Sequence, residues 1–281
     1  MVKTILLTVL AFLLNTYVFA QDYYVLHLSG KIKETSSQRN LIVGDVLAAN
    51  TQLTFLTENA KAVVISKEKG RMLLDGSEGK RNYQGEFITM LQNVLMPVAA
   101  NEGLSTRAVF KENKDIVDLQ AYFGSEKLQR AIIGEKYTLN LNPEVFKKKG
   151  GSTYIFKYKI GDEVVNKVIK IYDGQLTLDK KALFPVGYHD LAEKGTKAEF
   201  FSMNVISKKS ELLASTHICF VNEKVLQKEV NTIIKGYGIE GDEAQILEKV
   251  NDYFIHQYGI PFEQDLEGWL SKKGYINSSQ K

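Results

Sequence analysis

Short apolar runs, separated by glycines and polar turns, occupy residues 21–110 of the chain. Residues 24–28 and 62–66 have the composition of β-strands. Residues 67–70 form a turn into a further apolar run at 71–74, which predicts a hairpin. Strands this short, at a spacing of roughly ten residues, are typical of a small barrel or sandwich. We therefore expect an N-terminal β domain over residues 21–110.

A second set of strand patterns follows a helical connector that we predict at residues 111–128. Residues 153–160 and 164–172 flank a glycine–aspartate turn and form the clearest hairpin pattern in the chain. The side chains at alternate positions of a strand share one face, and here they are apolar: Tyr154, Phe156, Tyr158 and Ile160. With further strands at 198–206 and 212–221, residues 129–222 predict an antiparallel, immunoglobulin-like sandwich.

The apolar spacing changes from strand-like to helix-like at residue 223. We predict a helix that ends with Gly236 as its C-cap, and a second helix that begins at the N-cap Asp242 and ends at Gly259. A last amphipathic segment follows Pro261, and residues 223–281 thus form a helical C-terminal region. The predicted fold class is mainly β with α: a small N-terminal β barrel or sandwich, a second antiparallel sandwich and C-terminal helices.

The first twenty residues have the features of a signal peptide. Lys3 precedes an aliphatic run of about ten residues, too short for a membrane-spanning helix, which needs roughly twenty. Val18 and Ala20 place small residues where a signal peptidase cuts, before Gln21. No cysteine lies directly after that point, so we expect an exported protein, periplasmic or secreted, without a lipid anchor. We expect no integral membrane segment after cleavage.

The net charge limits the possible partners, and the cysteine content limits the possible disulfides. The formal net charge is +3, and removal of Lys3 with the leader makes it +3 − 1 = +2, which argues against nucleic acid as a partner. The compact basic run at residues 147–149 is interpreted as a solvated turn. Cys219 is the single cysteine, so no intramolecular disulfide can form.

Four motifs follow one another between residues 28 and 74. They are Ser29-Gly30-Lys31-Ile32, the segment 41–47 in which Gly44 turns the chain and Asp45 caps the turn, and the apolar runs 60–65 and 71–74. In kind and order they resemble the periplasmic FecR-like β domain. The usual Asp-Gly-Ser hairpin is displaced, since Asp75-Gly76-Ser77 follows the last strand. The resemblance covers about fifty residues, and it implies a binding or signalling module of the envelope.

Three residues are candidates for catalysis. His217 and Cys219 lie two positions apart on one predicted strand, and a thiolate–imidazole pair is a known nucleophile arrangement. The surrounding residues are apolar, however, and free cysteine is among the most buried residue types, so we interpret Cys219 as a core residue. His189 lies beside Asp190 in an irregular stretch, where functional residues tend to collect.

Two further motifs are given structural interpretations. Residues 236–241 spell G-x-G-x-x-G, but a dinucleotide site requires a preceding strand, and here a helix is predicted on each side. The acidic pairs Asp162-Glu163 and Asp242-Glu243, and Glu240, lack the ligand spacing of a calcium loop. The histidines lack zinc-site spacing. We expect neither a cofactor nor a metal.

These features favour a non-catalytic binding or structural protein of the bacterial envelope or exterior. Its expected partner is another envelope or extracellular protein, or a cell-wall glycan. Two alternatives stay open at this point. One is a secreted hydrolase whose groups, such as His189, His217 and Cys219, converge only in three dimensions. The other is an adhesin or toxin component.

Overall fold

The computed structural model describes residues 22–75, 115–146, 152–262 and 265–277. The predicted signal peptide and the basic run at 147–149 lie outside these residues. The chain divides into two compact units, one of residues 1–94 and 228–240, and the other of residues 95–227 and 241–281. The protein is mainly β, with helices concentrated at the C-terminus, as the sequence predicts.

In its described residues, the first unit contains two small sheets. A four-stranded sheet has the order β3-β1-β5-β6, and β2 pairs with β4. The predicted hairpin is confirmed, because β5 and β6 pair in antiparallel fashion. The strands of this unit are β1 (Asp22–Ser29), β2 (Ile32–Glu34), β3 (Val46–Ala48), β4 (Leu53–Phe55), β5 (Lys61–Ser66) and β6 (Gly70–Asp75).

The turn before β3 forms as the sequence predicts. Gly44 has a φ of 95°, a region that residues with a Cβ rarely adopt. One carboxylate oxygen of Asp45 accepts a hydrogen bond from the Ile42 N–H at 2.8 Å, and the other accepts one from Arg39 at 2.9 Å. The turn is thereby closed by its own side chain.

Residues 228–237 of helix α4 (Glu223–Tyr237) belong to the first unit and pack on β1 and β5. A Cβ added to Gly236 would lie 2.5 Å from Ile65 Cδ1, so the glycine permits close approach of helix and sheet. Gly236 lies within the helix, and the prediction that it is the C-cap is wrong. About two helical turns before Gly236, the fully buried carboxylate of Glu229 accepts a hydrogen bond at 2.8 Å from His27 Nδ1.

The second unit is built on a six-stranded sheet with the order β10-β9-β13-β14-β7-β15, together with a three-stranded sheet, β11-β12-β8. Its strands are β7 (Gln129–Ile133), β8 (Lys136–Asn140), β9 (Ser152–Ile160), β10 (Glu163–Ile169), β11 (Ile171–Tyr172), β12 (Gln175–Asp179), β13 (Thr196–Asn204), β14 (Ser210–Val221) and β15 (Ile260–Pro261). Its helices are α1 (Leu119–Phe123), α2 (Lys180–Leu183), α3 (His189–Lys194), the first turn of α4, α5 (Glu243–Tyr258) and α6 (Asp265–Lys272).

The prediction of purely antiparallel pairing is wrong for β7, which runs parallel to both β14 and β15. The antiparallel hairpins β9–β10 and β13–β14 do form at the predicted positions. Pro261 lies in β15 rather than at the start of a helix, because the two-residue strand carries the chain along β7 before α6 begins. A strand of two residues is too short to show the alternation of apolar and polar side chains by which strands are predicted.

One face of the six-stranded sheet covers an aromatic core. Tyr154, Phe156 and Tyr158 are buried, which confirms the alternation predicted for β9. Neighbouring rings pack closely, with centroids 4.9 Å apart for Phe123 and Phe200 and 4.7 Å apart for Tyr158 and Phe184. Burial of large aromatic side chains is a major source of stability in such a core.

Candidate functional site

Cys219 is buried on β14 and is held as a thiol. Its Sγ donates a hydrogen bond to the backbone carbonyl of Glu193 at 3.0 Å. Burial raises the pKa of the thiol to about 12, the charge of Glu193 acts in the same direction, and Lys180 opposes both. A nucleophilic cysteine needs a lowered pKa, so this environment does not activate the sulfur.

His217 makes different contacts from Cys219, although both lie on β14. Its Nδ1 is 2.9 Å from the backbone carbonyl oxygen of Glu126, and the Glu126 carboxylate accepts hydrogen bonds from Lys197 and from the Ser215 hydroxyl. Lys197 holds the pKa of Glu126 below its ordinary value. The Ser215 hydroxyl therefore donates to a carboxylate and not to the histidine, which is not the geometry of a serine nucleophile with its base.

His189 begins α3, and its Nε2 is buried without a hydrogen-bond partner. Glu193 lies one helical turn further along and binds the Lys180 ammonium at 2.6 Å. Within the part of the chain that the structure describes, no hydrogen bond or ion pair joins any two of His189, His217 and Cys219.

Lys180 is a buried charge that sequence reasoning missed. Its side chain is 6% exposed, with Glu193 at 2.6 Å and Glu135 at 4.0 Å. Removal of one partner of a buried ion pair leaves the other charge uncompensated. The ion pair of Lys180 and Glu193 thus links α2 to α3. The sequence gives no periodic signal for it, since it directly follows the N-cap Asp179, whose carboxylate accepts from two backbone N–H groups of α2.

The G-x-G-x-x-G segment connects two helices, as the sequence predicts. The Ile239 N–H donates to the Ile234 carbonyl and the Gly238 N–H donates to the Lys235 carbonyl, and Gly238 has a φ of 64°. These two bonds define a Schellman motif. Asp242 then caps α5 by accepting from the Gln245 N–H. No strand precedes the glycines, so the dinucleotide interpretation has no structural basis.

The predicted acidic clusters do not converge. Glu243 binds Asn277, Asp242 is the N-cap of α5, and Asp162 lies in the β9–β10 turn. Over the described ranges, no group of three or more histidine, cysteine, aspartate or glutamate residues is arranged to hold a metal ion.

The opposite face of the six-stranded sheet, which we call the outer face, carries a line of apolar residues. The cross-strand register places one residue from each of four adjacent strands side by side. This apolar row consists of Val168, Ile155, Phe201 and Leu212. Val168 is 66% exposed and Leu212 is 51% exposed, while the other two are half-buried.

A polar row lies beside the apolar row and consists of Asn166, Lys157, Glu199 and Ser215. Lys157 binds Glu199 at 2.8 Å, and its ammonium lies 5.2 Å from the ring centroid of Phe201. Ile206, in the turn that connects β13 to β14, is 82% exposed. Contiguous apolar positions on an open face, rimmed by charges, are typical of an interaction surface.

Comparison with known proteins assigns no family. No protein-family model matches the chain, and no curated protein shows significant sequence similarity to it. Among the helices of the described residues, none has the length and apolar content needed to cross a membrane. The interpretation of function therefore depends on the surface itself.

Proposed function

We propose that this protein is a non-catalytic binding protein of the bacterial envelope or exterior, and that it binds its partner on the outer face of the six-stranded sheet. The apolar row carries the proposal. Val168 and Leu212 are exposed at its two ends, and burial of apolar surface of this kind contributes about 25 cal/mol per Å². A face that served only to cover the core would present polar side chains to water.

A protein partner fits this face better than a cell-wall glycan. The row is aliphatic except for Phe201, which already packs against the Lys157 ammonium. Sugars bind to freely exposed aromatic rings, and the exposed rings among the described residues of this unit, Tyr172 and Tyr188, are not members of the row. The ion pair of Lys157 and Glu199 supplies the polar rim that protein interfaces commonly have.

The same proposal includes export of the protein and the envelope role that the FecR-like resemblance implies. Residues 1–20 direct the chain out of the cytoplasm, and the N-terminal unit is a binding or signalling module of the envelope. Both rest on the sequence motifs described above. They are consistent with a partner that is itself an exported protein.

The experiment compares mild cross-linking of intact cells that express three forms of the protein. The wild type should yield one cross-linked partner. The double variant Leu212→Asp/Ile206→Asp should lose at least about nine-tenths of it, because two carboxylates on the face would have to be desolvated on binding. Val186→Asp is the matched control, because Val186 is 93% exposed and lies outside the apolar row.

The control should retain the partner at the wild-type level. Equal recovery from the double variant and the wild type, with circular dichroism unchanged, would exclude the outer face as the binding site. Recovery of the wild type only as a free protein would count against the whole proposal. A catalytic function is not proposed, because burial raises the pKa of the Cys219 thiol and Cys219 and His217 bond to different backbone carbonyls.

A further inference from the structure

Strand β10 (Glu163–Ile169) lies at one end of the six-stranded sheet. Among the described residues, its pairing partner is β9 alone. The hairpin turn consists of Gly161, with a φ of 58°, and Asp162, so Ile160 and Glu163 form the first hydrogen-bonded pair. Antiparallel pairing alternates from there. The backbone groups of Val165 and Lys167 point towards β9, whereas those of Val164, Asn166 and Val168 point away from it.

On the outer face this edge strand carries no charged side chain. Val164 and Val168 are 44% and 66% exposed, and both lie on the outer face. Natural edge strands are usually shortened, bulged or covered, because an exposed apolar edge pairs readily with another strand. Here the register with β9 runs without a bulge over all seven residues.

The charges of β10 are arranged symmetrically. Glu163 and Lys167 lie two residues to either side of Val165 and, by alternation, on the same face of the strand. Neither side chain has a hydrogen-bond or ion-pair partner within the described ranges. In an antiparallel pair of two β10 strands centred on Val165, each Glu163 lies directly opposite a Lys167, and opposite charges in such positions stabilise a sheet.

The same register also satisfies the backbone. With Val165 opposite Val165, the residues that form hydrogen-bonded pairs across the new contact are Val164 and Asn166, whose N–H and C=O groups point outward. A register shifted by one pair, centred on Asn166, instead places Val165 opposite Lys167 and leaves both charges without a partner. A register centred on Val164 places Glu163 opposite Val165 and likewise leaves both charges without a partner. Charge complementarity therefore selects the register centred on Val165.

We infer that β10 pairs with β10 of a second copy of this chain, in antiparallel fashion and centred on Val165, to form a symmetric dimer with a twelve-stranded sheet. This inference uses groups other than Leu212 and Ile206, on which the test of the proposed function depends. A failure of the dimer inference can therefore be distinguished from a failure of the proposed function. In the dimer the two outer faces adjoin, and the two apolar rows lie on one surface.

The test measures molar mass by sedimentation velocity from about 1 to about 100 μM. The wild type should change from the mass of one chain to that of two across this range. Glu163→Lys and Lys167→Glu should each raise the dissociation constant at least about tenfold, because each places like charges opposite one another. The double variant Glu163→Lys/Lys167→Glu should restore dimerisation, since it exchanges the two charges.

Asn166→Pro tests the backbone contact. The Asn166 N–H points away from β9, and proline is tolerated on an edge strand where the N–H faces solvent, so the β9–β10 hairpin should persist while the dimer is lost. Glu211→Lys is the matched control, because Glu211 is an exposed charge on the interior strand β14. The Glu211→Lys variant should dimerise with the same dissociation constant as the wild type.

A wild type that is monomeric at every concentration would overturn the inference. So would a double charge exchange that does not restore the dimer, or an Asn166→Pro variant that folds and still dimerises. If Asn166→Pro fails to fold, the charge variants decide alone. A monomeric wild type that binds an added extended peptide would assign this edge to a foreign strand, and the self-pairing would likewise be excluded.

Discussion

Cys219 illustrates how a neighbouring side chain and burial determine the chemistry of a single residue. The thiol donates to the Glu193 carbonyl, and the same glutamate binds Lys180 through its carboxylate. The pKa of Cys219 rises to about 12 because burial penalises the thiolate and Glu193 adds a negative charge nearby. A free cysteine can be reactive, but this one is protected by burial.

The raised pKa predicts slow alkylation of the folded protein. At pH 8, iodoacetamide should modify Cys219 roughly a thousandfold more slowly in the native state than in denaturant, because only the thiolate reacts and its population falls tenfold for each pH unit by which the pKa rises. The native rate should increase with pH until the pKa of about 12 is reached. Labelling can be followed by mass spectrometry.

Unfolded protein in about 6 M guanidinium serves as the control for that measurement. Native labelling at the denatured rate, with the fold intact, would mean that the thiol is accessible and that its pKa is close to the ordinary value.

At the scale of elements, the glycine-rich segment after α4 has two separate roles. Gly238 accepts the positive φ of the Schellman motif. Gly236 leaves room for Ile65 and Tyr24 of the first unit. Two of the glycines that resemble a dinucleotide fingerprint therefore have structural roles. Gly236 permits a close contact between helix and sheet, and Gly238 ends the helix.

Two glycine-to-alanine substitutions should have opposite effects on stability. In Gly236→Ala the new Cβ would lie 2.5 Å from Ile65 Cδ1, and overpacking should lower the free energy of unfolding by about 1–3 kcal/mol. Gly268→Ala is the matched control, because Gly268 lies in α6 with nothing within 4 Å of an added Cβ. There, alanine should stabilise the protein by about 0.5–1 kcal/mol. Urea denaturation measures both.

A stabilising effect of Gly236→Ala equal to that of Gly268→Ala would show that the helix does not pack closely on the sheet at this position. Equal losses at both sites would instead indicate that the alanine effect is independent of packing.

At the scale of the whole molecule, the chain combines two β units, each with its own buried apolar cluster. Residues 1–20 carry the predicted export signal, with Lys3 as its only charged residue.

We expect the exported protein to begin at Gln21 and to lack the mass of residues 1–20. Intact mass spectrometry of the periplasmic or extracellular fraction checks this. Ala20→Arg should block processing, because a signal peptidase requires a small residue at the last position before the cut. Thr4→Ser, outside the cleavage motif, should be processed normally. A full-length chain that stays in the cytoplasm in all three forms would contradict the prediction.

Much of the fold was predictable because its signals are local. The alternation of Tyr154, Phe156 and Tyr158 predicts a buried strand face, and the Asp242 cap and Gly259 predict the bounds of α5, since each depends on residues near in sequence. The parallel pairing of β7 was not predictable, because it joins segments nearly ninety residues apart and either strand direction suits the same apolar residues.

By itself, the sequence determined the β-rich class, the hairpins, the C-terminal helices and the structural nature of the glycine-rich motif. Tertiary structure alone decided that Lys180 is buried against Glu193, that Gly236 is needed for close packing, and that Val168, Ile155, Phe201 and Leu212 form one row. Each of these depends on which distant segments meet. Periodicity shows which residues share a face, but only the register between strands shows which faces are continuous and open to a partner.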